Sequence, residues 1–161
     1  MRTRALLTEL LLAGIIILGV NAYLARHAAK GRAPPLKVLA TLNGPVPKIA
    51  DGQPLLIDFF ATWCPICRID QGVAQAVARH EPVVVVATQS PPAAVRAFAK
   101  SHHWRASVIL DTDGTIAQRY GVRVLPMAFI VGPKGHIRFV VAGYTTEAGL
   151  MARLWLARLH L

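Results

Sequence analysis

Two cysteines separated by two residues are the part of this sequence best suited to chemistry. Cys64 and Cys67 are the only cysteines among the 161 residues, with Pro65 and Ile66 between them. A disulfide stabilises mainly by restricting the unfolded chain, so a loop this short makes a poor staple. Reactivity explains the pair better, because one thiolate can attack a disulfide and the second thiol can resolve the mixed disulfide that results.

Zinc binding and an inert structural bridge are two alternatives for such a pair. A structural zinc ion needs four ligands, so two more would have to come from elsewhere in the chain. The 6 histidines include no pair at the H-x3-5-H spacing, and there is no second cysteine pair. Trp63 directly before the motif also favours the redox interpretation. We therefore predict a redox-active pair and no metal site.

The residues before the cysteines predict a buried strand. The run from Pro54 to Phe60 is compact and apolar apart from Asp58, as in a strand buried on both faces of a parallel or mixed sheet. A carboxyl group in such a run would be desolvated, and its raised pKa would suit proton exchange with Cys67. The alternative is a solvent-facing aspartate at a strand edge.

A helix is predicted to begin at the cysteine motif. Apolar residues recur at helical spacing, and polar residues are available for the opposite face. The apolar positions are Ile66, Ile69, Val73 and Val77, and the polar positions are Arg68, Asp70, Gln71 and Arg79. Cys64 then lies at the helix amino terminus, where free N–H groups and the helix dipole favour a thiolate. We assign Cys64 as the attacking thiol and Cys67, one turn later and more shielded, as the resolving thiol.

The rest of the chain alternates strands with helices. Residues 38–49 predict an irregular strand or hairpin, and later strands are predicted at 83–87, 107–110, 127–131 and 136–141. Helices are predicted at 92–102, up to Tyr120 before Gly121, and after the capping residues Thr145 and Thr146, with Leu150, Leu154 and Ala157 on one stripe. This order predicts an α/β fold.

The amino-terminal segment predicts a membrane-spanning helix. Ala5 to Leu24 form an apolar run of about the length needed to cross the hydrocarbon core, interrupted only by Thr8, Glu9 and Asn21. A cleavable signal peptide is the alternative, because the apolar core from Leu10 to Val20 is short. We favour retention, and we divide the chain into an anchor or signal segment at 1–25, a linker at 26–36 and a globular domain at 37–161.

The charge of the chain is strongly basic, with 18 Lys and Arg against 8 Asp and Glu. Such an excess is typical of nucleic-acid-binding proteins, but here the basic residues are spread without a dense run. We therefore predict no nucleic-acid partner and expect the basic residues to face an anionic surface such as lipid headgroups. The 54% of hydrophobic residues predicts a folded domain, of a size for one core.

The segment from Ile57 to Cys67, read as IDFFATWCPIC, resembles the active-site segment of the thioredoxin superfamily. Val124-Leu125-Pro126 is similar to the cis-proline loop of that superfamily, which abuts the dithiol and pairs with the backbone of the substrate. The resemblance implies a three-layer α/β/α sandwich with a central mixed sheet and a cis Leu125–Pro126 peptide. It also implies a buried carboxylate beneath the dithiol, at Asp58.

Four residues around the dithiol are predicted to bind substrate: Trp63, Pro65, Leu125 and Pro126. Trp63 would cover the site and guide partners, although a packing role is the alternative. Pro-Ile stands between the cysteines where thioredoxins proper have Gly-Pro, so their redox potential does not carry over. Leu125 stands where Thr or Val is common, which leaves partner choice open.

The separation between Cys67 and Pro126 leaves room for one extra strand and helix. Such an insertion, together with the anchor, resembles membrane-anchored periplasmic thioredoxins of the TlpA and cytochrome c maturation type. The tail from Gly143 to Leu150 is most similar to the "suppressor for copper sensitivity D" type of protein disulfide oxidoreductase. The resemblance covers roughly residues 36 to 161.

These observations together predict a monomeric thiol-disulfide oxidoreductase, anchored by one span in a bacterial inner membrane, with its domain in the periplasm. Its partners would be periplasmic protein disulfides or thiols, with a membrane electron-relay protein as reductant, and its redox group would be the Cys64–Cys67 disulfide without another cofactor. Reduction is the preferred direction. The alternatives are a copper-binding module that holds Cu(I) on the same thiolates, and an adaptor that recruits partners without turnover.

Overall fold

Strands and helices alternate along the described part of the chain, which comprises residues 2–36, 41–47 and 53–159 of this computed structural model. The helices are α1 (Arg2–Leu24), α2 (Pro65–Val77), α3 (Pro92–Ser101), α4 (Thr115–Arg119) and α5 (Glu147–Leu159). The strands are β1 (Thr41–Leu42), β2 (Leu55–Phe60), β3 (Val83–Thr88), β4 (Ser107–Asp111), β5 (Met127–Val131) and β6 (Ile137–Ala142). The predicted strand and helix order is confirmed. The predicted amino-terminal hairpin lies partly outside the described residues, at 38–40 and 48–49.

The strands form one mixed sheet in the order β1-β4-β3-β2-β5-β6. β2, β3 and β4 are parallel, whereas β5 runs antiparallel to both β2 and β6. The central strands are buried along their whole length, because Val, Ile, Leu and Phe side chains on both faces meet a layer of helix or chain. β2 lies between β3 and β5 in the middle of the sheet. The cysteine motif therefore begins at the end of a central strand.

Helices cover both faces of the sheet. α2, α3 and α5 pack on one face, where buried residues such as Cys67, Val95 and Leu154 belong to one apolar cluster. α4 packs on the other face, where Ile116 and Tyr120 join a second cluster. These layers confirm the predicted α/β/α sandwich, in which α3 and β4 provide the extra helix and strand.

The buried face of α2 differs from the predicted one. Ile66 and Ile69 are 51% and 74% exposed, whereas Asp70 is buried together with Cys67, Ala74 and Val77. Cys67 faces the sheet, and residues three, seven and ten positions later lie on the same side of the helix. The prediction that Ile66 and Ile69 share the apolar face with Val77, and that Asp70 lies opposite, was therefore wrong.

The segment after α1 contacts the domain closely. Ala29 N–H donates to the Tyr120 carbonyl at 2.8 Å, and Ala33 N–H donates to the Gly135 carbonyl at 2.8 Å. The Tyr120 hydroxyl donates to the Pro34 carbonyl at 2.8 Å. Residues 28–34, in the stretch predicted to be a linker, thus hydrogen-bond to the globular part.

Candidate active site

The two cysteines form a disulfide at the amino terminus of α2. Cys64 is the N-cap residue of the helix, and Pro65 occupies its first turn, where a missing N–H costs nothing. The Cys67 N–H points at the Cys64 sulfur from 3.2 Å, so the helix end offers a donor to the charge of a Cys64 thiolate. Cys64 is 6% exposed and Cys67 1%, which agrees with the assignment of Cys67 as the more shielded thiol.

The loop that carries Cys64 is hydrogen-bonded to Ser90, just after the end of β3. The Thr62 N–H donates to the Ser90 hydroxyl at 3.0 Å, and that hydroxyl donates to the Thr88 carbonyl at 3.0 Å. Ser90 and Thr88 are buried, so the hydroxyl of Ser90 and the carbonyl of Thr88 find in these bonds the partners that water does not supply. The position of Cys64 therefore depends on a residue far away in sequence that the sequence pattern did not single out.

Trp63 lies open to solvent beside the disulfide. Its side chain is 59% exposed, so Trp63 is not part of the buried core. The indole N–H donates to the Gln89 carbonyl at 2.9 Å. Gln89 adopts a left-handed conformation with φ of 46°, which is uncommon for a residue other than glycine. The ring is thus held on the side of the Cys64 loop by one hydrogen bond.

The Leu125–Pro126 peptide is cis, as predicted. The loop contacts the dithiol, because the Leu125 carbonyl oxygen lies 3.9 Å from the Cys64 sulfur. Pro126 is buried, and its carbonyl accepts a hydrogen bond from the Gly143 N–H at 2.8 Å. The cis-proline loop therefore lies directly beside the Cys64 sulfur, and the substrate-binding role of Leu125 and Pro126 stays a prediction.

Asp58 is buried in β2 and does not face solvent. It lies between Leu56 and Phe60, which belong to the same apolar cluster as the two cysteines, so its side chain points to the face that α2 covers. Desolvation, and to a smaller extent the charge of Asp70, raises the pKa of Asp58 from 3.8 to about 7. The group can therefore exchange a proton near neutral pH.

Asp70 is a second buried carboxyl group in this region, and the sequence pattern missed it. It lies one helical turn after Cys67, and its Oδ1 accepts a hydrogen bond from the Thr145 N–H at 3.4 Å. Burial raises the pKa of Asp70 from 3.8 to about 6, although the Thr145 bond opposes this shift. The signal that could have found it is the shielded Cys67, because a residue three positions after an inward-facing helical residue also faces inward.

A groove of about 790 Å³ opens beside Cys64 on the α4 side of the disulfide. Its walls combine apolar and polar groups, as is common in binding sites. The walls include Trp63, Pro65, Gln89, Gln118, Arg123, Val124 and Leu125. Three of the four predicted substrate-binding residues thus line one groove, and Pro126 follows directly after its wall.

The chemistry that this site can support comes from the disulfide, whose two sulfurs together accept two electrons and two protons. Within the described residues, no group of three or more His, Cys, Asp or Glu side chains could hold a metal ion.

Comparison with known proteins agrees with this geometry. The profile of the AhpC/TSA family matches residues 32–140. The chain belongs to the AhpC/TSA family. Within this thioredoxin-like family it is 31% identical over 153 residues to the thiol-disulfide oxidoreductase ResA of Bacillus subtilis (strain 168), covering 88% of this chain and 86% of that one. It is also 28% identical over 149 residues to the thiol:disulfide interchange protein DsbE of Tatumella citrea, covering 85% of this chain and 75% of that one.

Solved structures share the fold. StoA from Bacillus subtilis superposes with a TM-score of 0.61 at 22% identity, covering 75% of this chain and 98% of that one. The thioredoxin-like superfamily protein SPOA0173 gives a TM-score of 0.69 at 21% identity, covering 81% of this chain and 97% of that one. Family, relatives and the cysteine pair together identify an enzyme, a thioredoxin-like protein disulfide oxidoreductase of the TlpA-like kind. The finer assignment to the suppressor for copper sensitivity D type stays a prediction.

Proposed function

We propose that the protein is held in a bacterial inner membrane by α1 and reduces disulfides of periplasmic proteins through Cys64 and Cys67. The observation that carries this proposal is the unequal pair: Cys64 caps a helix beside a groove, and Cys67 is buried behind it. The segment Leu6–Leu24 of α1 is long and apolar enough to cross a membrane. A dithiol enzyme with no other cysteines suits the oxidising side of that membrane.

The reaction transfers two electrons in two exchange steps. The Cys64 thiolate attacks one sulfur of the partner disulfide, whose S–S bond breaks and leaves a partner thiolate, which takes up a proton. Cys67, losing its proton to the Asp58 carboxylate, then attacks the Cys64 sulfur, and the mixed disulfide breaks. The second partner sulfur leaves as a thiolate that takes up a proton from solvent, and the Cys64–Cys67 disulfide remains. A dithiol of a membrane electron-relay protein would reduce that disulfide by the reverse sequence.

The buried carboxyl groups give the second step its proton acceptor. Asp58 has its pKa raised to about 7, so a fraction of it is ionised at neutral pH and can take up the Cys67 proton. Cys67 is 1% exposed, so water has little access to its thiol, and a buried carboxylate is needed to accept the proton. Asp58 is therefore proposed as the general base of the resolving step, with a pKa raised mainly by burial and to a smaller extent by the charge of Asp70.

Trapping of the mixed disulfide tests the proposal. In Cys67→Ser the attacking thiol remains and the resolving thiol is absent, so we expect disulfide-linked adducts in membranes from cells that express the full chain. The matched control, Cys64→Ser, should trap few or none, because Cys67 is shielded from partners. Equal trapping by both variants, or by neither, would contradict the assigned roles. Equilibration of the purified dithiol with glutathione buffers would give the direction, since about 30 mV corresponds to 1.4 kcal/mol.

A further inference from the structure

We infer that the residues from Asn21 to Ala33 hold the domain with the dithiol end of its sheet against the bilayer, so that Cys64 meets a membrane-embedded partner with its reactive cysteines at the bilayer surface. This inference rests on the proposed anchoring by α1. It goes further, because an anchor followed by a flexible linker would leave the domain free to face any direction.

The first observation is the contact of Asn21 with the edge strand β6. Its Oδ1 accepts a hydrogen bond from the Ala142 N–H at 2.8 Å, and its Nδ2 donates to the Val140 carbonyl at 3.2 Å. Ala142 pairs with Met127, and Met127 pairs with Phe59 near the end of β2. Asn21 therefore lies at the end of the sheet from which the cysteine motif emerges.

The second observation is the direction of the chain after Asn21. The Gly31 carbonyl accepts a hydrogen bond from the N–H of Ile137, at the start of β6, at 2.8 Å. Ala33 N–H donates to the carbonyl of Gly135, in the hairpin turn at the opposite end of the sheet. The chain thus runs from the dithiol end towards the hairpin end. The part of α1 before Asn21 consequently leaves the domain at the dithiol end.

The third observation is that this strap, residues 21–33, is packed and not merely adjacent. Ala28 is buried against α4, and Ala29 is hydrogen-bonded to Tyr120 as described above. Gly121 allows the strap to approach the end of α4 closely, because a Cβ at this position would overlap the carbonyl oxygen of His27. Contacts along the whole strap fix the angle between the helix and the sheet.

The length of the apolar segment brings the domain close to the lipid. Leu6–Val20, the apolar stretch before Asn21, rises about 22 Å as an α-helix. The hydrocarbon core of a bilayer is about 30 Å thick. A helix this short cannot hold Asn21 well above the membrane, so the strand end that Asn21 binds lies close to the bilayer.

The surface at the dithiol end has the composition that such a location favours. Trp63, Ile66, Ile69 and Tyr144 are large apolar or aromatic side chains, each more than half exposed. Aromatic rings of this kind are enriched at membrane interfaces, where one part of the ring is apolar and another reaches water. A membrane-embedded partner would cover this surface and meet Cys64 at its centre.

Fluorescence quenching tests the orientation, because the chain carries an exposed tryptophan at each end of the sheet. Trp63 is 59% exposed at the dithiol end and Trp155 is 57% exposed on α5, close to Arg158, which pairs with Glu81 just before β3 begins. We would reconstitute the full chain, as Cys64→Ser/Cys67→Ser to remove quenching by the disulfide, into phosphatidylcholine and phosphatidylglycerol vesicles with a nitroxide on the headgroup. Trp63→Phe and Trp155→Phe would then be compared in that background.

We expect Trp63→Phe to lose most of the nitroxide-dependent quenching and Trp155→Phe to retain it. Asn21→Ala, which removes both hydrogen bonds to β6, should weaken the quenching of Trp63 while the protein still floats with the vesicles. Quenching that is lost with Trp155→Phe, or that is absent in a protein that floats, would overturn the orientation. A chain that does not float would instead refute the anchoring on which the proposed function depends.

Discussion

Asp58→Asn is expected to stabilise the folded protein above pH 7 and to leave its stability nearly unchanged below pH 4. Desolvation raises the pKa of Asp58 from 3.8 to about 7, so between these values the folded state keeps a proton that the unfolded state loses. The free energy of unfolding therefore falls as the pH rises through this window. Each pKa unit corresponds to about 1.4 kcal/mol, so the loss reaches about 4 kcal/mol above pH 7. Asparagine has nearly the same shape and does not ionise, so it avoids this loss.

Urea unfolding of the oxidised full chain in detergent, followed by tryptophan fluorescence at about pH 4 and about pH 8, measures this difference. Asp113→Asn is the matched control. Asp113 is exposed, and its hydrogen bonds with Thr115 lower its pKa, so its removal should not increase stability at the higher pH. Asp70→Asn should reduce the pH dependence of the wild-type protein, because it removes a second raised pKa and the charge that adds to the first.

The same Asp58→Asn protein should reduce a model protein disulfide at least about twofold more slowly at neutral pH, because asparagine cannot accept the Cys67 proton. Higher stability with lower activity separates a proton-transfer role from a packing role, which would lower both together. If the variant gains no stability between the two pH values, Asp58 is solvated and ionised in the folded protein, and the reasoning fails. If it gains stability and keeps its rate, only the catalytic role is refuted.

Two further substitutions test the supports of the site and the strap. Gly121→Ala should destabilise the protein by about 1–3 kcal/mol, because the new Cβ would be strained at a left-handed φ of 67° and would overlap the His27 carbonyl. Gly135→Ala is the control: its φ is 79°, but the space around it is open, so it should cost less in the same urea titration. Ser90→Ala should cost about 1–3 kcal/mol and slow disulfide exchange, because the Thr62 N–H loses its acceptor and the carbonyl of the buried Thr88 loses its donor. A variant as stable and active as wild type would show that this hydroxyl does not hold the loop.

Local patterns in the sequence predicted most of the strands and helices of the fold. The apolar run at 54–60, the proline after Cys64 and the recurrence of strands and helices predicted β2, α2 and the α/β order, and the structure has them. These features depend on residues close together in the chain, whose period and propensity set the local backbone. The cis peptide before Pro126 followed from the resemblance to thioredoxins and was confirmed.

The face of α2 could not be read reliably from its apolar residues. Ile66 and Ile69 have the right spacing for a buried stripe, yet they are exposed at the dithiol end. Burial of Asp70 in their place costs desolvation, and a hydrophobicity pattern assigns such a residue to solvent. Only the position of the sheet relative to the disulfide decides which side of the helix faces inward.

By itself the sequence determined that this chain carries a dithiol at a strand-to-helix junction, with a carboxyl group in the strand before it and an apolar helix ahead of the domain. Tertiary structure alone decided that a second carboxyl group lies near the first, that Ser90 holds the loop, and that Asn21 binds the edge of β6. The last contact joins residues 119 and 121 positions apart. Pairings at such separations depend on how the whole sheet assembles, and no local period or propensity encodes them.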